Sequence, residues 1–213
     1  MKQTTKKILV ELMEKYPSLQ TCNEDIEKAF LLLKNCFEKD GRVFTCGNGG
    51  SSSDSEHIVG ELLKSFKKRR PMDKTVYENL QEFGEDGAYL CEKLEGAFPA
   101  YSLNSQTGIM TAFANDKAWD ATFAQQLYGL GRKGDCLLTL STSGNSKNCV
   151  YAALVGKAKG LSSIALTGAG GGKLKAVADC TIAVPETETY KVQELHLPVY
   201  HCLCAMLEEE FFA

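Results

Sequence analysis

The spacing of apolar residues changes along the chain, and that change divides it. In the first 40 residues Ile8, Leu9, Leu12 and Met13 fall on one helical stripe, which Pro17 stops. Asn23 stands where a second helix would be capped, and Ile26, Ala29, Phe30, Leu33 and Phe37 then repeat at helical spacing. After that come short apolar runs at residues 42–46, 100–103, 135–140, 162–166 and 179–184. Each reads as a buried strand. Helices are predicted at residues 118–130 and 147–159, and a last one over 187–211. No internal repeat or low-complexity linker interrupts the pattern. Strand-helix alternation of this kind predicts a single α/β domain spanning residues 1–213, with a mostly parallel sheet covered on both faces.

One stretch departs from the pattern. Lys67, Lys68, Arg69 and Arg70 form a basic run closed by Pro71, and Val76, Leu80 and Phe83 then resume a helical spacing that Gly84 and Gly87 interrupt. Residues 72–98 read as a helical insertion between two strands, either a charged surface excursion or a wall over a site.

Composition narrows the function. The chain has 213 residues, 24 Lys plus Arg against 27 Asp plus Glu, and a formal charge of −3. That length buries a substantial core. The charge balance offers no basic excess for nucleic-acid backbones. No run of roughly 18 apolar residues predicts a membrane span, and the start does not read as a secretion signal. The nine Cys, most among apolar neighbours such as Cys36, Cys46, Cys136, Cys149 and Cys180, read as reduced thiols of a cytoplasmic protein.

Two predicted strands run into loops rich in Gly and Ser: Gly47-Asn48-Gly49-Gly50-Ser51 and Ser141-Thr142-Ser143-Gly144-Asn145-Ser146. Glycine lets the backbone approach a ligand, a following helix offers unpaired N–H groups, and hydroxyls add donors for an anion. Neither loop is a Walker or dinucleotide fingerprint, which disfavours a nucleotide-dependent enzyme. A third loop, residues 167–173, reads equally well as a plain turn. His57 and Glu61 stand one helical turn apart. Gln193 and His201 share a face of the last helix, with Pro198 between them, while His196 faces a packing position. The four suit zinc, and without metal Glu61 and His201 suit a base and an acid.

These residues, with Asp54, Thr167-Gly168 and Glu194, resemble the sugar isomerase (SIS) domain family, and within it the phosphoheptose isomerases. That family interconverts sedoheptulose 7-phosphate and D-glycero-D-manno-heptose 7-phosphate. The resemblance implies a flavodoxin-like αβα sandwich around a five-stranded parallel sheet, assembled as a homotetramer with sites shared between subunits. It implies that Ser51, Ser141, Ser143 and Ser146 hold the phosphate, with Gly49, Gly50 and Thr142 in the same loops. Asn48, Asn115, Asp116 and Gln193 match substrate-binding positions. His57, Glu61, Gln193 and His201 match zinc ligands, one zinc per subunit, and Glu61 and His201 match the base and acid of an enediol mechanism. The chain departs from the family at Ser52-Ser53, at Tyr190, at Asn104 where Asp is usual, at Lys64-Ser65 where Arg is expected, and in the long segment 72–98. The alternative is a non-catalytic SIS module, which the presence of His201 disfavours.

Overall fold

A computed structural model describes residues 1–213. Helices α1 (Gln3–Lys15) and α2 (Asn23–Phe37) lead into β1 (Val43–Cys46) and α3 (Gly50–Leu63). Two short helices follow, α4 (Lys74–Gln81) and α5 (Gly84–Lys93). Then come β2 (Ala100–Ser102), α6 (Thr107–Asp116), α7 (Thr122–Leu130), β3 (Cys136–Leu140), α8 (Lys147–Lys159), β4 (Ser162–Gly168), α9 (Leu174–Val177), β5 (Cys180–Val184) and α10 (Thr189–Phe212). The five strands are parallel and lie in the order β2-β1-β3-β4-β5. The switch in direction of winding falls between β1 and β3, where open α/β sheets leave a crevice at the strands' carboxyl ends.

Period-2 alternation sends the strand side chains into two layers. Val43, Leu138, Leu140, Ile164 and Leu166 join a core with Phe30 and Leu33 of α2, Ile58 of α3, and Val199, Leu203 and Met206 of α10. Phe44, Cys46, Leu137 and Ala165 face the other way, onto Phe123, Leu127, Cys149 and Ala152 of α7 and α8. The result is an αβα sandwich, as the resemblance implies. All nine cysteines are free thiols, and all but Cys91 are buried. No helix is long and apolar enough to cross a membrane.

Several expectations are adjusted. Asn23 does not cap α2: a 3-10 turn at Pro17–Cys22 runs straight into the helix, so Asn23 already has helical angles. Helix α6 is not among the elements predicted above: its apolar residues Ile109, Met110 and Phe113 span little more than one turn, and none of its residues is buried. Residues 118–130 divide into a 3-10 turn at Trp119–Ala121 and α7. Helix α10 continues through Pro198.

The basic run is not one surface feature. Arg70 is 1% exposed, and its Nε donates to Glu208 Oε1 of α10 at 2.8 Å, also fully buried. Glu208 accepts the backbone N–H groups of Phe66, Lys67 and Lys68 as well, at 2.7–2.8 Å. This closes every lone pair of a carboxylate that would otherwise be costly to bury. Arg70 Nη1 and Nη2 donate to the carbonyls of Leu62 (2.7 Å) and Glu61 (2.9 Å) at the end of α3. Residues 64–71 are therefore a strap tied to α3 and α10. Helices α4 and α5 beyond it pack chiefly against each other, leaving Val76, Tyr77, Phe83, Tyr89, Leu90 and Leu94 exposed.

Candidate active site

Helices α3 and α10 lie side by side in the same direction. The contacts run in step: Gln193 lies against Gly50, and seven residues further along both helices Tyr200 meets His57. The pairing creates two stations. The first is at the Gly/Ser loops and the second lies about two helical turns away, ~12 Å along the axis.

At the first station Gly49 takes φ +56° and Gly144 φ +66°, left-handed angles that favour glycine. No N-cap side chain closes α3 or α8, although Ser51 and Ser52 N–H turn back to the carbonyls of Asn48 and Gly49 and Cys149 N–H donates to Asn148 Oδ1. Ser51 and Ser141 are buried, and Ser141 Oγ lies 2.9 Å from Ser146 Oγ. Ser143 Oγ accepts the N–H of Asn145 at 3.2 Å. The two loops are coupled by a reciprocal amide pair. Asn48 Nδ2 donates to Asn148 Oδ1 at 2.9 Å and Asn148 Nδ2 returns a bond to Asn48 Oδ1 at 2.8 Å. The third loop is a support: a Cβ on Gly144 would meet the carbonyl oxygen of Gly171 at 2.0 Å, and Leu174 N–H donates to Gly144 O.

Asn104 gives the departure from Asp a physical role. Its Oδ1 accepts Gly47 N–H at 3.1 Å while its Nδ2 donates to Gly47 O at 2.8 Å. An ionised Asp, which has no donor, makes only the first bond. A cavity of about 390 Å³ opens here, walled by Asn48, Gly49, Asn104 and Asn148 on one side and by Thr111, Trp119 and Phe123 on the other. Asn115 and Asp116 follow on the same α6 helix, but they are exposed and bond each other at 2.9 Å rather than turning toward the loops.

The second station gathers His57, Glu61 and His201. His57 Nε2 lies 3.1 Å from Glu61 Oε1, and its Nδ1 lies 3.1 Å from the Tyr200 hydroxyl. The rings of His57 and His201 are 5.0 Å apart, and Phe66 of the strap packs 5.4 Å from His201. Burial raises the Glu61 carboxyl, but the hydrogen bond and charge of Lys64 at 2.8 Å outweigh it and leave the group below its ordinary value. Lys64 thus supplies a cation next to the helix glutamate. His201 is lowered, chiefly by burial, so its neutral imidazole is favoured. Its Nε2 is buried without a partner.

Of the four expected zinc ligands, His57, Glu61 and His201 fall together, and Gln193 sits at the first station. No three acidic, histidine or cysteine side chains in this single chain already converge as a cage. The donor set nonetheless suits zinc in kind, with imidazole and carboxylate atoms 3.1 Å apart and an unpartnered ring nitrogen close by. His196 is fully buried beside β4 with both ring nitrogens unpartnered, and burial lowers it to about 4, which fits a neutral packing residue. Sequence reasoning missed Tyr200, Asn148, Arg70 and Glu208. The only signal for Glu208 was its place after the apolar run 202–207, which it shares with two other glutamates.

Comparison with known proteins agrees with this architecture. The SIS domain family matches residues 10–101 and 97–168. The phosphoheptose isomerase of Akkermansia muciniphila is 34% identical over 204 residues, 96% of this chain and 95% of that protein. The one from Rhodospirillum rubrum is 37% identical over 191 residues, 90% and 88% of the two chains. The solved phosphoheptose isomerase of Neisseria gonorrhoeae superposes with a TM-score of 0.72 at 28% identity, covering 97% of this chain and all of that one. With the sheet order, both Gly/Ser loops and the long final helix accounted for together, the chain belongs to the phosphoheptose isomerase family of SIS-domain proteins.

Proposed function

We propose that the protein is a phosphosugar isomerase that interconverts sedoheptulose 7-phosphate and D-glycero-D-manno-heptose 7-phosphate. The observation that carries this reading is the meeting of Glu61 and His57 with His201 on paired helices that begin at the Gly/Ser loops. In the proposed reaction the phosphate rests on Ser51, Ser141, Ser143 and Ser146, beside the starts of α3 and α8. That anchor supplies binding energy that orients the reacting end. Glu61, favoured as the carboxylate, takes the proton from the carbon beside the carbonyl. His201, favoured as the neutral imidazole, protonates the carbonyl oxygen and yields an enediol. Neutral imidazole serves as an electrophile in the same way in triosephosphate isomerase. Return of a proton to the neighbouring carbon completes the exchange of aldose and ketose.

Zinc is proposed at His57, Glu61 and His201; Gln193, the fourth ligand that the resemblance implies, stands about two helical turns away beside Gly50. When bound it would polarise the carbonyl as a Lewis acid. A homotetramer with sites shared between subunits accompanies this reading. Exposed Trp119, Tyr128 and Leu154 give apolar area for such contacts. Replacing Glu61 with Gln removes the base and keeps the shape. Sedoheptulose 7-phosphate turnover is expected to fall at least about 100-fold in kcat. Undiminished turnover, or the absence of C2 proton exchange with deuterated water in the wild type, overturns the reading in favour of a binding module.

A further inference from the structure

Tyr200 belongs to none of the patterns that the sequence singled out, yet its hydroxyl joins α10 to α3 beside the candidate catalytic pair. The side chain is 1% exposed and touches two groups of α3, Asp54 Oδ1 at 3.1 Å and His57 Nδ1 at 3.1 Å. The direction of each bond follows from what the groups are able to do. An ionised carboxylate only accepts, so the one phenolic proton goes to Asp54. The Tyr200 oxygen is then free to accept, and the atom facing it must be the protonated Nδ1 of His57. A neutral imidazole with its proton on Nδ1 carries a bare lone pair on Nε2. That Nε2 faces Glu61 Oε1 across 3.1 Å, and the carboxylate is also an acceptor.

In that neutral form two acceptors so close repel each other unless a cation lies between them, whereas an imidazolium donates its Nε2 proton to the carboxylate. The separation is close to one edge of a tetrahedral zinc site: ligand distances of about 2.1 Å give a nitrogen-to-oxygen edge of about 3.4 Å. Histidines that bind a metal through one nitrogen characteristically donate the other to a second group, which sets both tautomer and ring orientation. Here the second group is a phenol, itself oriented by a carboxylate on the preceding turn of the same helix. The arrangement spans two helices, so it also holds α10 at a fixed height against α3.

We propose that Tyr200, anchored by Asp54, is a positioning residue that holds His57 with its proton on Nδ1 and turns the bare Nε2 toward Glu61 as one edge of a cation site. This depends on the isomerase reading only in its kinetic arm. The test uses the full-length protein labelled with nitrogen-15, in which only three imidazoles need to be resolved. Long-range proton-nitrogen spectra before zinc is added are expected to show His57 protonated on Nδ1 in the wild type. In Tyr200→Phe the Nε2-protonated form is expected to appear. Asp54→Asn supplies a donor as well as an acceptor, lets the chain of bonds reverse, and is expected to shift the tautomer the same way with the aromatic core intact. Zinc titration of the folded protein is expected to show about 10- to 100-fold weaker binding by Tyr200→Phe. With sedoheptulose 7-phosphate, kcat is expected to fall while KM holds.

A wild-type His57 protonated on Nε2 overturns the proposal, as does zinc binding by Tyr200→Phe equal to that of the wild type. A rise in KM at constant kcat overturns it too, by placing Tyr200 in substrate binding. The tautomer and zinc measurements stand whether or not the protein turns over a sugar phosphate, so the two readings fail separately.

Discussion

The strap of residues 64–71 and the helical hairpin of α4 and α5 are neighbours in sequence and both rich in charge, basic in the strap and mostly acidic in the hairpin, yet they are held in opposite ways. The strap is joined to the body by Glu208, which takes three backbone N–H groups and the Arg70 guanidinium within 2.8 Å. The hairpin holds mainly to itself, buries only Gly87 within its helices, and leaves six large apolar side chains in the open. Charge alone therefore says little about location. What places Arg70 inside is a carboxylate on a distant helix and two free carbonyls at the end of α3. Its neighbour Arg69, with no such partners, stays outside. The consequence reaches the site, because the same strap sets Phe66 against His201 and ties Arg70 to the carbonyl of Glu61.

The largest test of this contrast is Glu208→Ala. It strands a buried guanidinium and three amides, and is expected to cost about 3–5 kcal/mol in urea unfolding. A cost under about 1 kcal/mol, the range of an exposed pair, would place the strap with the hairpin. A pH series sharpens the same point. Burial raises the Glu208 carboxyl, but its hydrogen bonds from Phe66, Lys67 and Arg70 prevail and leave it below the ordinary 4.5. A depressed carboxyl stabilises the fold above its unfolded value, and that stability disappears as pH falls through the lower folded value. Wild type is therefore expected to lose stability as pH falls below about 4.5, whereas Glu208→Gln shows a shallower slope across the same acid range.

A middle-sized effect is expected from Asn104→Asp, which restores the residue usual in the family. It deletes the donor to Gly47 O and is expected to cost about 1–3 kcal/mol, unless a compensating neighbour absorbs the charge. Equal stability would show that the amide is dispensable to the first loop. The smallest effect belongs to the hairpin. Arg70 O already accepts the N–H of Gly96 at 3.0 Å, so residues 72–94 are excisable with a short glycine joint. The unfolding free energy of the body is expected to change by less than about 1 kcal/mol, and a larger loss would show that the hairpin is built into the core.

Much of this molecule is legible in its residues taken in order. Short apolar runs such as residues 135–140 and 162–166 mark strands because both faces of a parallel sheet must be apolar. Gly144 and Gly49 mark turns because left-handed angles favour a residue without Cβ. His57 and Glu61 meet because helical spacing of four brings side chains to one face, and they lie 3.1 Å apart. Helix α6 leaves only a short signal, since its apolar residues Ile109, Met110 and Phe113 span little more than one turn among Thr, Gly and Ala. The separation of Gln193 from His201 was hidden for another reason: the shared face of one helix says nothing about which end lies against Gly50.

The sequence by itself determined the layered fold, the anion-friendly loops and the local pairs, since these depend on spacings within one element. Only the tertiary structure decided that Arg70 is buried, that Asn48 pairs with Asn148, and that Tyr200 links Asp54 to His57. Those contacts join residues 100 or more positions apart. Their energies come from burial and from matching donors to acceptors across helices, and no local periodicity records either.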